Sequence, residues 1–404
     1  MDWLRIPANL FFLTLIGLCY TILKAQVRRF GYLELYSLVW LVVIVGSQWA
    51  GPVYSPQLPT ICLFYLAWLG FLLPSFVVFA RTDDAFVAQS VRDPNTTRLR
   101  MALASLLLLS VAVNLNMLYR IAGNLNLFRF GWLALRIQGQ SLVSENSSVI
   151  YQLFARCFVI YIPIAVLLFR RKALSRAGLA SVCALALGTA AIGLTRGPIL
   201  FWAVTLLISL TVLTTVSRRM WLTMLLLLST PFVLVFSVLG YNGSQLRAVV
   251  ALYGFGGIKA YEELLAGRYP RSPFDDSPFY SLDFLNYAAK KVGLITHYPS
   301  LIRSYASQPA TNVYTYLDAF TLDFGVAGAL LCPILLGTLA AKTHQRAYTT
   351  LHPGAIVIYA YVCYAIAMSF MNMELIRISG WLLLAEVWLV NRLISVNDSP
   401  VLAG

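Results

Sequence analysis

Apolar windows long enough to cross a bilayer recur along this chain, and that recurrence leaves few folds open to it. A helix needs roughly 20 predominantly apolar residues to span membrane hydrocarbon. Such windows fall near 7–24, 34–50, 58–80, 99–118, 149–169, 174–194, 197–216, 220–240, 316–340, 353–371 and 378–396. With 59% of 404 residues hydrophobic and 11% charged, a water-soluble core of ordinary size does not account for so much apolar surface. The sequence predicts an all-α polytopic membrane protein of about eleven transmembrane helices. The first window lacks a small-residue cleavage site followed by a soluble domain, so it is expected to be a retained span.

Orientation follows from where the cations fall. Lys24, Arg28 and Arg29, then Arg81 to Arg100, then Arg170, Arg171, Lys172 and Arg176, then Arg218 and Arg219, then Lys342 and Arg346 occupy alternate connections. The excess of Lys and Arg in cytoplasmic loops puts these five inside. Connections 51–57, 119–148, 194–197, 241–315 and 372–377 then face outward, with the N-terminus outside and the C-terminus, carrying Arg392, inside. The expected organisation is eight helices over 1–240 with an interfacial segment at 119–148, a large, mostly helical outer loop at 241–315, and three helices with a tail over 316–404. Cys19, Cys62, Cys157, Cys183, Cys332 and Cys363 all fall in predicted spans without Cys-x-x-Cys or metal spacing, and are expected to be small core residues. Much of the net charge of +14 is this orienting set, which excludes nucleic acid as the natural partner.

The informative cations are those orientation does not require. Arg120, Arg129, Arg136, Arg156, Arg196, Arg247, Arg268, Arg271, Arg303 and Arg377 lie on the outer side, where lysine occurs only at Lys259, Lys290 and Lys291. Arginine is always charged, weakly hydrated and able to fork two hydrogen bonds onto one phosphate. As a set these residues suggest an anionic ligand; singly, each also suits snorkelling to headgroups or capping a helix. Arg196 sits in the short turn 194–197, with Pro198 in the first turn of the next helix. Arg129, Trp132, Leu133 and Arg136 share a helical face that fits an interfacial segment or an ordinary amphipathic connector.

The loop 241–315 carries helix-like stretches near 257–266, closed by Gly267, and near 279–292, closed by Gly293. Tyr and Phe recur through it, Tyr253 and Tyr261 among them. Such faces suit ring-shaped polar ligands and equally suit packing of the loop onto the bundle. Asp275 and Asp276 lack a spaced third ligand, so loop surface and not a metal site is expected. Next comes "TNVYTYLDAFTLDFGVAGALL", residues 311–331. A helix beginning near Asn312 would place Asn312, Tyr316 and Asp323 within roughly 40° of one another, apart from Asp318. Asp323 would then lie about 16 Å along the axis from Asn312, deep enough to require a cavity or a partner such as Arg377 or Arg196. A purely structural Asp–Arg pair is the alternative. Gly325 and Gly328 suit close helix packing.

"LTRGPILFW" at the head of a span, "YGFGGIKAYEELL" in the long loop and "NVYTYLDAFTLDFGVAGALL" at the next membrane entry, within this many-helix layout, resemble the Wzy-type O-antigen (oligosaccharide repeat-unit) polymerases of bacterial envelopes. The resemblance covers the second half of the chain; the first half shares only the general character. It implies a GT-C-like bundle in the bacterial inner membrane whose site faces the periplasm. The implied activity is that of an inverting glycosyltransferase, which transfers a growing glycan from one undecaprenyl pyrophosphate carrier onto a repeat unit held by another. Implied partners are lipid-linked glycans, membrane lipid and a chain-length regulator; no cofactor is expected. The related O-antigen ligases carry a histidine where this chain has Thr311, and the nearest outer histidine is His297, which favours polymerase over ligase.

In that chemistry an acceptor hydroxyl attacks an anomeric carbon while pyrophosphate departs, and the departing charge needs fixed cations. With no acidic cluster to hold a metal, Arg196, Arg247 and Arg303 are the leading pyrophosphate ligands and Arg129, Arg136 and Arg377 further ones. Asn312, Tyr316, Tyr253 and Tyr261 are candidates for the glycan. Asp323, Asp318 and His297 are candidates for a general base. A flippase for the same lipid-linked sugars also needs outward arginines; such transporters often show duplicated halves, which are not visible here.

Overall fold

The computed structural model describes residues 4–27, 31–80, 95–124, 157–191, 196–214, 243–268, 279–295 and 314–395. Among them every regular element is a helix: α1 (Arg5–Gln26), α2 (Tyr32–Trp49), α3 (Leu58–Ala80), α4 (Thr96–Asn124), α5 (Phe158–Arg170), α6 (Arg176–Ala191), α7 (Arg196–Leu213), α8 (Gly243–Leu265), α9 (Asp283–Lys291), α10 (Asp318–Thr350), α11 (Pro353–Met368) and α12 (Ile378–Ser395), with a single 3-10 turn at Glu374–Ile376. Five are long and apolar enough to cross a membrane: α1, α2, α3, α4 through Asn116, and α10. Shorter apolar helices occur at α5, α6, α7 and α11. The described residues are those of a helical, multi-pass membrane protein.

Several boundaries depart from the sequence expectation, among them the start of α8, at Gly243 and not near 257. α4 runs on to Asn124, into the stretch expected to be interfacial, whose residues 125–148 lie outside the described residues, as does the expected span 220–240. α10 continues to Thr350, so Lys342 and Arg346 ride exposed on its last turns instead of in a connecting loop.

The chain forms two compact units from interleaved stretches: Met1–Ala88, Gly243–Gln345 and Ala365–Ile378 in one, and Gln89–Asn242, Arg346–Tyr364 and Ser379–Gly404 in the other. In the first, α1 shows Ile6, Leu10, Phe11 and Leu18 on its outside, the surface a helix presents to lipid, while its other side packs on α3. The core between α2 and α3 is aromatic, with Tyr36 stacked on Phe71 at 3.7 Å and Trp40 on Phe64 at 5.1 Å. At one end Lys24 pairs with Glu34, which also accepts from Gly31 N at 2.8 Å and so closes the α1–α2 turn. His344 lies against Tyr32 and Phe79 at this end. At the other end Arg5 donates to Ser55 at 2.9 Å, and the buried Glu262 of α8 pairs with Lys259 and accepts from Gln57 N. Connections 51–57 and 241–315, expected on one side of the membrane, therefore meet.

In the second unit α5 is buried from Phe158 to Leu168 and packs against α4, α6 and α7. A helix apolar all round belongs at a centre, and this one has it. Ser110 and Asn114 of α4 bond to Thr189 of α6 across distances of 3.4 and 2.9 Å. α7 is seated on Tyr364, whose ring stacks on Phe201 at 4.4 Å and whose hydroxyl would lie 3.1 Å from a Cβ on Gly197.

Candidate functional site: a re-entrant hairpin

α10 is interrupted near its start. Gly325 has φ 62° and ψ −152°, a conformation that glycine alone adopts without strain, so a short helix over 318–324 is set apart from a long one over 326–350. The carbonyl of Phe320 lies where a side chain on Gly328 would go, so the short helix folds back along the first turn of the long one. The Tyr316 carbonyl accepts from Cys332 Sγ at 3.9 Å. Cys332 is seven residues past Gly325, about 10 Å along the axis at 1.5 Å per residue. The turn at 315–317 thus lies beside the long helix, and the chain runs from it as the short helix, reverses at Gly325 and continues as the long one.

Non-helical backbone at such depth is tolerated where protein buries it or where it lines a cavity. Residues Tyr314 to Ala319 are buried, and the amides from Tyr316 to Ala319 find partners within the protein. Tyr316 N donates to Ser369 O at 2.8 Å, Asp318 N to Thr315 O at 3.2 Å, and Ala319 N to the Asp318 carboxylate at 2.6 Å. Ser369 belongs to a second non-helical strap, 369–377, that follows the end of α11. In it Glu374, 2% exposed, pairs with Arg377 at 3.4 Å. In the amide orientation that satisfies both, Asn372 donates to Glu374 Oε1 and accepts from Arg377 Nη2, each at 3.0 Å. The guanidinium is thereby planted on a buried acid with 31% of its side chain exposed. α8 lies against both straps, since a Cβ on Gly257 would meet Phe370 O at 3.0 Å and Tyr314 O at 3.5 Å.

This arrangement corrects several expectations. The stripe of Asn312, Tyr316 and Asp323 required one helix from Asn312. The helix instead begins at Asp318, Tyr316 precedes it in the turn, and Asn312 lies outside the described residues. Asp323 is not a free acid seeking an arginine: its carboxylate accepts from Tyr280 N at 2.8 Å, Ser281 N at 2.7 Å and Ser281 Oγ at 2.5 Å. It latches the 279–281 segment to the short helix, which leaves poor access for base work. Arg377 pairs with Glu374, not with Asp323. Gly325 serves the backbone and not packing.

Tyr316 is fully buried with its hydroxyl 2.7 Å from that of Tyr36, and Tyr261 is fully buried with its hydroxyl 2.7 Å from Thr321 Oγ1. Both are core residues unable to face a sugar. Tyr253 is half-buried on α8.

The remaining candidates fall as follows. Asp318 is buried at the N-terminus of the short helix, close enough to Tyr261 and Cys332 to act on both electrostatically. Arg247 is exposed on α8. Arg196 opens α7 with Pro198 in its first turn, as expected. Arg268, just past the end of α8, pairs with the Glu263 carboxylate, and its backbone N–H donates to Glu263 O in the turn that closes the helix. Arg129, Arg136, Arg156, Arg271, His297, Arg303, Asp275 and Asp276 lie outside the described residues. Among the described residues no three His, Cys, Asp or Glu side chains gather as a metal site. Sequence reasoning missed Glu374 and Ser369; the one signal available was an acid three residues before Arg377 in a short outward connection. No protein-family model, curated protein or solved structure matches the chain.

Proposed function

We propose that the protein is an inverting glycosyltransferase that polymerises undecaprenyl-pyrophosphate-linked oligosaccharide repeat units, built as a GT-C-like bundle of eleven spans in the bacterial inner membrane with its site facing the periplasm. The observation that carries this reading is a pair of irregular straps bonded to each other within one helical unit, the turn 314–317 leading into the buried acid Asp318 and the strap 369–377 bearing the planted Arg377. Irregular backbone inside a membrane bundle marks binding and reaction sites, because its polar groups are costly unless a site needs them. A guanidinium fixed by a buried acid is pre-organised for a pyrophosphate whose charge grows as the glycosidic bond forms.

In this mechanism the acceptor hydroxyl attacks the anomeric carbon of the donor glycan, the bond from that carbon to the pyrophosphate oxygen breaks, and the lipid pyrophosphate leaves with the electron pair. Arg377 and Arg247 are the cations available to it in the unit that carries the straps, and Arg196, at the head of α7, is a further candidate offered by the sequence. Asp318 and His297 stay as the candidate bases once Asp323 is committed to its latch, and a leaving group this good lessens the need for one. Selectivity between polymerase and ligase rests on Thr311 standing where ligases carry histidine.

The test is to incubate purified protein in nanodiscs with undecaprenyl-pyrophosphate-linked repeat units, without metal, and size the products. A ladder spaced by one repeat unit, lost in Arg377→Ala and in Arg196→Ala, is expected. Absence of a ladder with several authentic substrates, together with movement of the intact lipid across a vesicle membrane, would identify a flippase instead.

A further inference from the structure

α9 presents an apolar stripe that no other described residue covers. Leu285, Ala288 and Val292 follow one another at helical spacing and are exposed, whereas the opposite face carries the buried Asn286, whose amide donates to Phe279 O at 2.5 Å. The helix ends in a Schellman turn at Gly293 (φ 77°), with Leu294 N donating to Ala289 O at 2.8 Å. Such turns ordinarily pack the residue after the glycine back onto their own helix. Here Leu294 is 78% exposed and Val292 71%, so the turn aims both away from the protein. Lys290 and Lys291 are exposed beside them, Lys291 lying over the Tyr287 ring at 5.5 Å.

What lies against this face follows from where α9 starts. Ser281, two residues before it, is held by Asp323, the residue next to Phe324. Phe324 and Val326 are exposed, and the exposed apolar line continues down α10 through Leu331 and Leu335, the strip that meets lipid. α9 therefore begins at the height where α10 enters the bilayer. An amphipathic helix at that height, with apolar residues outward and lysines at its end, has the make-up of a segment that lies in a membrane interface.

We propose that α9 rests on the outer surface of the bilayer, with Leu285, Val292 and Leu294 in the acyl boundary and Lys290 and Lys291 on anionic phospholipid headgroups. The surface then fixes the height of the 279–295 segment over the hairpin, whatever reaction or transport the hairpin performs.

The experiment places photoreactive p-benzoylphenylalanine at position 294, and separately at 285, in the full chain reconstituted in nanodiscs of mixed phosphatidylglycerol and phosphatidylcholine. The same label at Val326 serves as the lipid-facing reference. Irradiation followed by mass spectrometry should give phospholipid adducts at 294 and 285 in yields matching position 326, enriched in phosphatidylglycerol, with that enrichment lost in Lys290→Glu/Lys291→Glu. Protein crosslinks to a second copy, or no lipid adduct at 294 while 326 is labelled, would overturn the proposal. The unmodified protein supplies an independent check: amide exchange over 283–295 should slow several-fold in phosphatidylglycerol nanodiscs relative to amphipol, and equal rates would refute it.

Discussion

Replacing Asp323 by alanine should release the segment it holds. Three donors converge on its carboxylate, two backbone amides and the Ser281 hydroxyl, at 2.5 to 2.8 Å. A hydrogen bond to a charged acceptor contributes a net ~1.5–3 kcal/mol when buried. Asp323 is half-buried, so water reclaims part of what is lost; taking the low end of the range and discounting it by half leaves about 2 kcal/mol for the latch. That corresponds to about 30-fold in the equilibrium between docked and released. Hydrogen exchange with mass spectrometry on Asp323→Ala should show the amides of 283–291 exchanging faster by about that factor, with α1 to α3 unchanged. Asp323→Asn keeps one carbonyl oxygen and should fall between the two. If exchange over 283–291 is the same in Asp323→Ala and the parent protein, the latch is not what holds α9. Loss of glycan extension in Asp323→Asn with exchange unaltered would return this residue to the candidate bases.

Gly325→Ala forces a side chain into a backbone conformation reserved for glycine and should cost about 1–3 kcal/mol, read as a lower thermal midpoint in detergent. Gly17→Ala, in the exposed interior of α1 with open space around it, should instead stabilise the protein by up to about 1 kcal/mol and raise the midpoint. Tyr36→Phe and Tyr316→Phe should each cost about 1–2 kcal/mol by stranding the partner hydroxyl, and the double variant should cost less than the two together; full additivity would mean the hydroxyls do not interact. His352, in the connection between α10 and α11, has its pKa lowered, first by burial and then by Arg346, and its Nδ1 accepts from Gly354 N at 3.3 Å. Because the unfolded chain binds the proton more readily, stability should be complete above the unfolded value of about 6.5 and fall as the pH drops below it. His352→Gln should flatten that part of a melting-temperature profile, and an unchanged slope would place its origin elsewhere.

Much of this fold was legible because length and hydropathy alone determine where a helix must run. α2 and α3 match their windows closely, and Gly267 and Gly293 end α8 and α9 through left-handed Schellman turns, a signal carried by glycine after a helical stretch. Gly325 was misread for the same physical reason: within an apolar stretch a glycine suits close packing and backbone reversal alike, and only the chain on either side decides which. The supposed stripe of Asn312, Tyr316 and Asp323 failed separately: the helix begins only at Asp318, and angular positions mean nothing across its start. Tyr261 looked like a sugar platform because an aromatic ring with a polar tip satisfies either role, and burial against Thr321 is a tertiary fact with no local signature. Glu374 was overlooked because a single acid in a four-to-six-residue connection resembles solvated loop, whereas its burial depends on the strap folding over it.

Ser369 receives two bonds from distant parts of its unit, Trp40 Nε1 donating to its hydroxyl at 3.0 Å and Tyr316 N to its carbonyl. Trp40 is made 329 residues before it. At a synthesis rate of ~5–20 residues per second, the indole N–H of α2 would wait about 16–66 s inside the membrane for its acceptor. The re-entrant turn likewise emerges before the strap that satisfies it. During biogenesis the early spans must therefore be held by something else, whether translocon, insertase or trapped water. Quality control that samples nascent chains within that interval would meet a half-built site in every copy, so variants that merely slow insertion of α11 should reduce the amount of protein in the membrane more than they reduce the stability of the molecules that finish.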